Sequence, residues 1–259
     1  MTTPGHPLRD GWRMAVGTLT AFPVRPPVSV GPGTARTAMV LGPVAAAPIA
    51  AVAGVLGWAA SLVLPPAVTA VLILGCFALG SRALHLDGLA DTADGLTASY
   101  DRDRALEIMR RGNTGPAGAA TLVLVLLLQG AALTSVVARP WGAAAAVALL
   151  CLARSSLLIT CSAGVPAARP GGLGAVVAGV VPRLLALGGG LVAAAAAAAV
   201  LVLSGRPWWQ GLLAVAVAAV AVTGLVLRCR QRFGGITGDV LGAGIEVAAA
   251  ALLVAAAAG

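Results

Sequence analysis

The sequence contains no lysine, and acid is scarce: nine Asp and Glu residues among 259. Charged residues make up 10% of the chain, aromatics 3%, and 59% is hydrophobic, which excludes an ordinary soluble domain and points to a polytopic membrane protein. The four cysteines, Cys76, Cys151, Cys161 and Cys229, form no Cys-x-x-Cys pair, so a disulfide or zinc framework is not expected. The N-terminus lacks the charged start, apolar core and cleavage site of a removed signal. The basic excess, +8 overall, is all arginine and follows the flanks of apolar runs instead of forming one tract, so nucleic acid is not an expected partner.

What is present is organised around 85–96. Six of the nine acids fall between Asp87 and Glu107, in a chain otherwise almost free of them. Asp87, Asp91 and Asp94 stand at i, i+4 and i+7, within an arc of about 60° on a helix. Like charges on one stripe repel, and an all-oxygen cluster suits a hard cation, Mg²⁺ or Mn²⁺. The plain alternative is a solvated acidic face, common in soluble proteins but out of place beside apolar flanks.

The expected fold is an all-α polytopic integral membrane bundle of about seven helices, forming a single domain over 1–259. Spans are expected at roughly Ala38–Leu64, Ala67–Ser81, Ala117–Ala138, Trp141–Ala163, Leu184–Leu203, Trp208–Leu227 and Val240–Ala258. Gly11 to Phe22 reads as a short amphipathic or re-entrant segment, Ala105 to Arg110 as a helix capped by Asp101 or Asp103, and 164–183 as loop with a short apolar stretch. With the N-terminus cytoplasmic, fourteen of the seventeen arginines lie inside, Arg139 and Arg206 lie outside, and Arg154 is within the membrane. The same assignment puts Asp87, Asp91, Asp94, Glu107 and Asp239 at the cytoplasmic face of the cell membrane.

A second motif, Gly234-Gly235-Ile236-Thr237-Gly238-Asp239, is a glycine-rich turn ahead of a helix and follows Arg228, Arg230 and Arg232. Arginines beside a backbone nest suit a pyrophosphate. Asp239 is a candidate metal ligand or general base; the plain alternative is an interfacial turn. Arg154, costly in a span unless paired, is expected to face the interior, against an acid or a phosphate.

The run His85-Leu86-Asp87-Gly88-Leu89-Ala90-Asp91-Thr92-Ala93-Asp94-Gly95 closely resembles the signature of the cobalamin synthase family, adenosylcobinamide-GDP ribazoletransferase. Thr20-Ala21-Phe22-Pro23-Val24, Leu106-Glu107-Ile108-Met109-Arg110 and the block from Gly234 to Ala243 agree with it as well. The resemblance implies a membrane enzyme that joins α-ribazole, or its 5′-phosphate, to adenosylcobinamide-GDP and releases GMP, with Mg²⁺ required. For that chemistry the expected metal ligands are Asp87, Asp91 and Asp94, joined by Asp239 as a further candidate, and the expected proton acceptor is Asp94 or Asp239. His85, Arg104, Glu107, Arg110, Asn113, Arg154, Arg232, Gly235 and Thr237 are the expected substrate contacts. The sequence departs from the family pattern in 110–118, where Arg111 or Asn113 stands in place of an aspartate and Ala117 in place of an aromatic. The rival class is a transporter for cations or a cobalt compound; a homo-oligomer is left open.

Overall fold

The structure is a computed structural model and describes residues 6–98 and 100–258. Its elements are helical: α1 (Pro7–Leu19), α2 (Pro32–Val40), α3 (Gly42–Ala45), α4 (Ala47–Ser61), α5 (Pro66–Gly80), α6 (Leu84–Ala98), α7 (Arg102–Met109), α8 (Pro116–Val137), α9 (Gly142–Leu152), a 3₁₀ turn (Ala153–Ser155), α10 (Ser156–Thr160), α11 (Leu173–Val177), α12 (Arg183–Leu203), α13 (Trp208–Phe233) and α14 (Gly238–Ala257). Among the described residues there is no strand, only two isolated β-bridges, Ser162 with Val181 and Ala167 with Ile236.

Five stretches are long and apolar enough to cross a membrane: α8, the run Gly142–Thr160, α12, α13 and α14. The pair α5 and α6 adds a sixth if it is one span bent by 85°. The expected first span is instead interrupted, because Pro43 and Pro48 open α3 and α4 and leave an apolar helix of only 15 residues. Proline lacks the N–H that a continuing helix needs, so it starts helices and does not cross them. Conversely, α13 runs beyond Leu227 to Phe233, so its arginine-rich end is helical and the turn begins only at Gly234, whose φ of 77° needs no Cβ.

α14 is the central helix: most of it is buried, and it packs against α6, α8 and α13. Leucines on α8 (Leu124, Leu127) and α12 (Leu184, Leu187, Leu191) face outward, a surface suited to lipid tails. At the C-terminal end of α14, orphan carbonyls accept from cations and an amide. Arg139 donates to Ala256 O (2.6 Å) and Ala257 O (3.1 Å), Arg206 donates to Ala258 O, and Gln210 Nε2 donates to Ala255 O (2.9 Å). The two arginines expected on one side of the bilayer therefore meet at one end of the bundle. Asp239, in the first turn of α14, lies about 25 Å away along that helix.

Candidate active site

The acidic motif enters its helix through a strained corner. Arg82 and Ala83 both have positive φ, 56° and 55°, between α5 and α6. The turn redirects the chain so that α6 lies along α14. Two glycines set that contact. A Cβ on Gly88 would sit 2.6 Å from the carbonyl oxygen of Asp239, and one on Gly242 would sit 2.9 Å from the Cα of His85. The Gly88 and Gly242 positions thus bring the start of the acidic helix against the turn that holds Asp239.

The carboxylates of Asp87, Asp94 and Asp239 lie close enough to Asp91 to act on its charge. Asp91 is buried and Asp87 exposed. Asp87, Asp239 and His85 border a cavity of about 200 Å³ between α6, α14 and the N-terminal helices. A larger cavity, about 710 Å³, lies between α10, α12, α13 and α14, but its wall is apolar apart from three serines and Arg183 and carries no acid. Chemistry, not size, therefore selects the smaller one.

Asp94 is already committed. Its Oδ2 accepts the N–H of Gly115 (2.6 Å) and its Oδ1 the N–H of Gly118 (2.8 Å), capping α8 from a neighbouring helix. α8 has no side-chain cap of its own, and a Cβ on Gly115 would press to 2.6 Å from the carboxylate. The expected three-aspartate cage is therefore not formed: among the described residues, no group of three His, Cys, Asp or Glu side chains is arranged to hold a metal ion. Asp87, Asp91 and Asp239 remain, and one or two carboxylates are what Mg²⁺ takes from a protein when water and substrate phosphates complete its shell.

The second motif is held by its neighbours. Thr237 caps α14, accepting from Val240 N (3.4 Å) and donating to Asp239 Oδ2 (3.0 Å). Gly235 is buried where a Cβ would collide with the backbone of 166–168, and Ile236 exchanges backbone hydrogen bonds with Pro166 and Ala168 (both 2.9 Å). Arg102 fastens both segments, donating to Phe233 O (2.7 Å) and Ala168 O (2.6 Å). Arg169, in the same segment, reaches Asp239 Oδ2 at 3.7 Å. Neither Arg102 nor Arg169 is among the residues the sequence singles out. The glycines of 171–172 beside Arg169 were the available signal, and they read as loop.

The other expected contacts divide. Glu107 is held between Arg104 and Arg111 (2.8 Å each) on the surface of α7, and its hydrogen bonds to Arg111 and Arg104 draw its carboxyl below the usual range. Because that pKa is lowered on folding, its contribution is present above the ordinary glutamate range and is lost as pH falls through the lowered folded value. Arg110 and Asn113 are exposed, and Arg232 stacks on Tyr100 with 4.6 Å to the ring centroid. Arg154 lies away from the aspartates, and His85 borders both their cavity and a second space. With Gln129 and Glu246 they line a narrow space of about 30 Å³, too small for a phosphate-bearing substrate. Arg154 stacks on Phe77 (5.1 Å) and donates to Leu150 O (2.8 Å), and Gln129 donates to Glu246 Oε2 (2.9 Å). Glu246 lies about 10 Å along α14 from Asp239.

Fold and site together define a polytopic helical membrane protein that gathers carboxylates against a glycine-rich, arginine-clamped turn. The chain matches the family model described as cobalamin-5-phosphate synthase over residues 11–257, and it belongs to that family. It is 47% identical to the adenosylcobinamide-GDP ribazoletransferase of a Nocardioides species, covering 96% of this chain and 98% of that one. Relatives of the same name from Frankia casuarinae (39% identical, 93% and 92% covered) and Pseudomonas entomophila (36%, 93% and 96%) agree. No solved structure matches the chain.

Proposed function

We propose that this protein is an adenosylcobinamide-GDP ribazoletransferase, a single membrane-embedded domain whose site faces the cytoplasm. A ribose hydroxyl of α-ribazole, or of its 5′-phosphate, attacks the phosphorus bonded to cobinamide. A new P–O bond forms, the P–O–P bridge breaks, and GMP leaves. The observation that carries this reading is the assembly of Asp87, Asp91 and Asp239 where α6 meets the start of α14.

Asp87 and Asp91 are the residues that would hold Mg²⁺. A bound Mg²⁺ supplies charge neutralisation on the diphosphate and on the departing phosphate. Asp239 takes the hydroxyl proton. Its Oδ2 is occupied by Thr237 and Arg169, and Oδ1 has no hydrogen-bond partner among the described residues. Asp94 keeps α8 in place and does not enter the chemistry. Fixed placement of these groups supplies most of the acceleration.

The test is turnover by purified protein in lipid nanodiscs with adenosylcobinamide-GDP and α-ribazole, following GMP release with and without Mg²⁺. GMP release that requires both substrates and stops on chelation is expected. No GMP under any condition would refute the activity, and full turnover in chelator would refute the metal.

A further inference from the structure

The geometry points to Arg169 as a phosphate-binding arginine: its guanidinium, held at one side by Asp239, presents its other face to the phosphate oxygens of a diphosphate. This rests on the reading of the site as one for diphosphate transfer. It adds a ligand-binding residue from a segment outside both sequence motifs.

Four other arginines near the turn have partners, and Arg110, Arg228 and Arg230 are exposed. Arg102 is spent on two backbone carbonyls, Arg104 and Arg111 on Glu107, and Arg232 on Tyr100. Arg169 differs. Its Nη2 is 3.7 Å from Asp239 Oδ2, an ion-pair distance too long for a hydrogen bond, and that oxygen already accepts from Thr237. Its Nη1 is buried and has no hydrogen-bond partner. A guanidinium offers five donors in a planar fork, and a buried donor without an acceptor is costly, so a fork with one arm loosely paired and one arm unpaired is suited to an anion that brings several acceptors.

The segment carrying Arg169 is also fixed enough to serve. Ala168 donates to Ile236 O, Ile236 donates to Pro166 O, and Arg102 grips Ala168 O from α7. Arg169 therefore reaches Asp239 from the segment clamped against the glycine turn. An anion lying between the α6 stripe and Arg169 meets a cation on one side and carboxylates on the other. A diphosphate that shares a divalent cation with those carboxylates satisfies both sides.

The experiment uses the full-length protein in nanodiscs with Mg²⁺. Inorganic pyrophosphate is the equilibrium probe, and GMP release reports KM and kcat. Arg169→Gln is expected to weaken pyrophosphate binding and raise KM for the diphosphate substrate, on the order of tenfold or more. Arg169→Lys should recover part of the loss, since it keeps the charge and lacks the fork. Arg25→Gln, which removes the same charge from an exposed segment, should leave both unchanged. Wild-type pyrophosphate affinity in Arg169→Gln, or a fall in kcat alone, overturns the assignment while leaving the proposed activity standing. If the unaltered protein neither binds pyrophosphate nor releases GMP, both fall together. Should Arg169→Gln not insert, Arg169→Lys decides, and wild-type binding and KM in it would overturn the assignment.

Discussion

Two aspartates three residues apart on one helix have different work. Asp91 is buried beside other carboxylates, whereas both oxygens of Asp94 accept backbone N–H groups of α8. Asp91→Asn is near-isosteric and relieves repulsion, so it should abolish GMP release while the thermal midpoint holds or rises. Asp94→Ala removes a charge-assisted cap from two N–H donors and should cost about 1–3 kcal/mol of stability. Thermal unfolding of both variants alongside turnover separates the roles. An unstable Asp91→Asn, or a fully stable and inactive Asp94→Ala, would reverse them. The same reasoning explains why Gly115 and Gly118 accompany the motif, since their backbones must come within hydrogen-bond reach of Asp94.

Among the elements, the corner between α5 and α6 controls how the acidic stripe meets α14. Left-handed backbone at a non-glycine residue costs about 1–2 kcal/mol, and a β-branched side chain makes it worse. Ala83→Gly should therefore be tolerated in both stability and activity. Ala83→Val should destabilise the protein by a further ~1 kcal/mol and lower turnover by tilting α6. The clamp from α7 belongs to the same level. Arg102→Ala leaves the carbonyls of Phe233 and Ala168 without their donor and loosens the turn that holds Asp239. The expected result is a larger loss in kcat than in thermal stability, measured on one preparation; an unchanged kcat would show that α7 is only a cover.

For the whole molecule, the notable feature is charge inside the bundle. Arg154 is buried and Glu246 half-buried, and with His85 and Gln129 they line one narrow space between the α9–α10 bend and α14. Each lies close enough to act on the other's charge, and where two buried charges compensate in this way removing one costs about 3–5 kcal/mol, whereas replacing both with apolar residues of similar size is often neutral. Glu246→Leu should thus lower the thermal midpoint sharply, and the double variant Glu246→Leu with Arg154→Met should restore most of it. A double variant no better than the single would show that the two charges do not compensate each other. Their depth, about 10 Å from Asp239 along α14, makes them part of the frame that holds the site.

Composition alone determined the class of this protein, because long apolar runs with so few charges have no soluble fold to bury them. Apart from the arginine-rich end of α13, the apolar pattern placed the last five stretches close to their observed ends, since span length is set by bilayer thickness and the local pattern carries it. The eleven-residue motif and the glycine turn were visible as chemistry for the same reason: each is local in the chain. The proline-broken first span was misjudged because hydropathy ignores the missing N–H. What only the tertiary structure decided depends on segments distant in sequence meeting within a few ångströms. That includes the capture of Asp94 by α8, the placement of Arg154 and Glu246 around one narrow space, and the approach of Arg169 to Asp239. Helical periodicity fixes which residues share a face, but packing fixes what that face touches, and a carboxylate becomes a cap, a ligand or a base only once its neighbour is known.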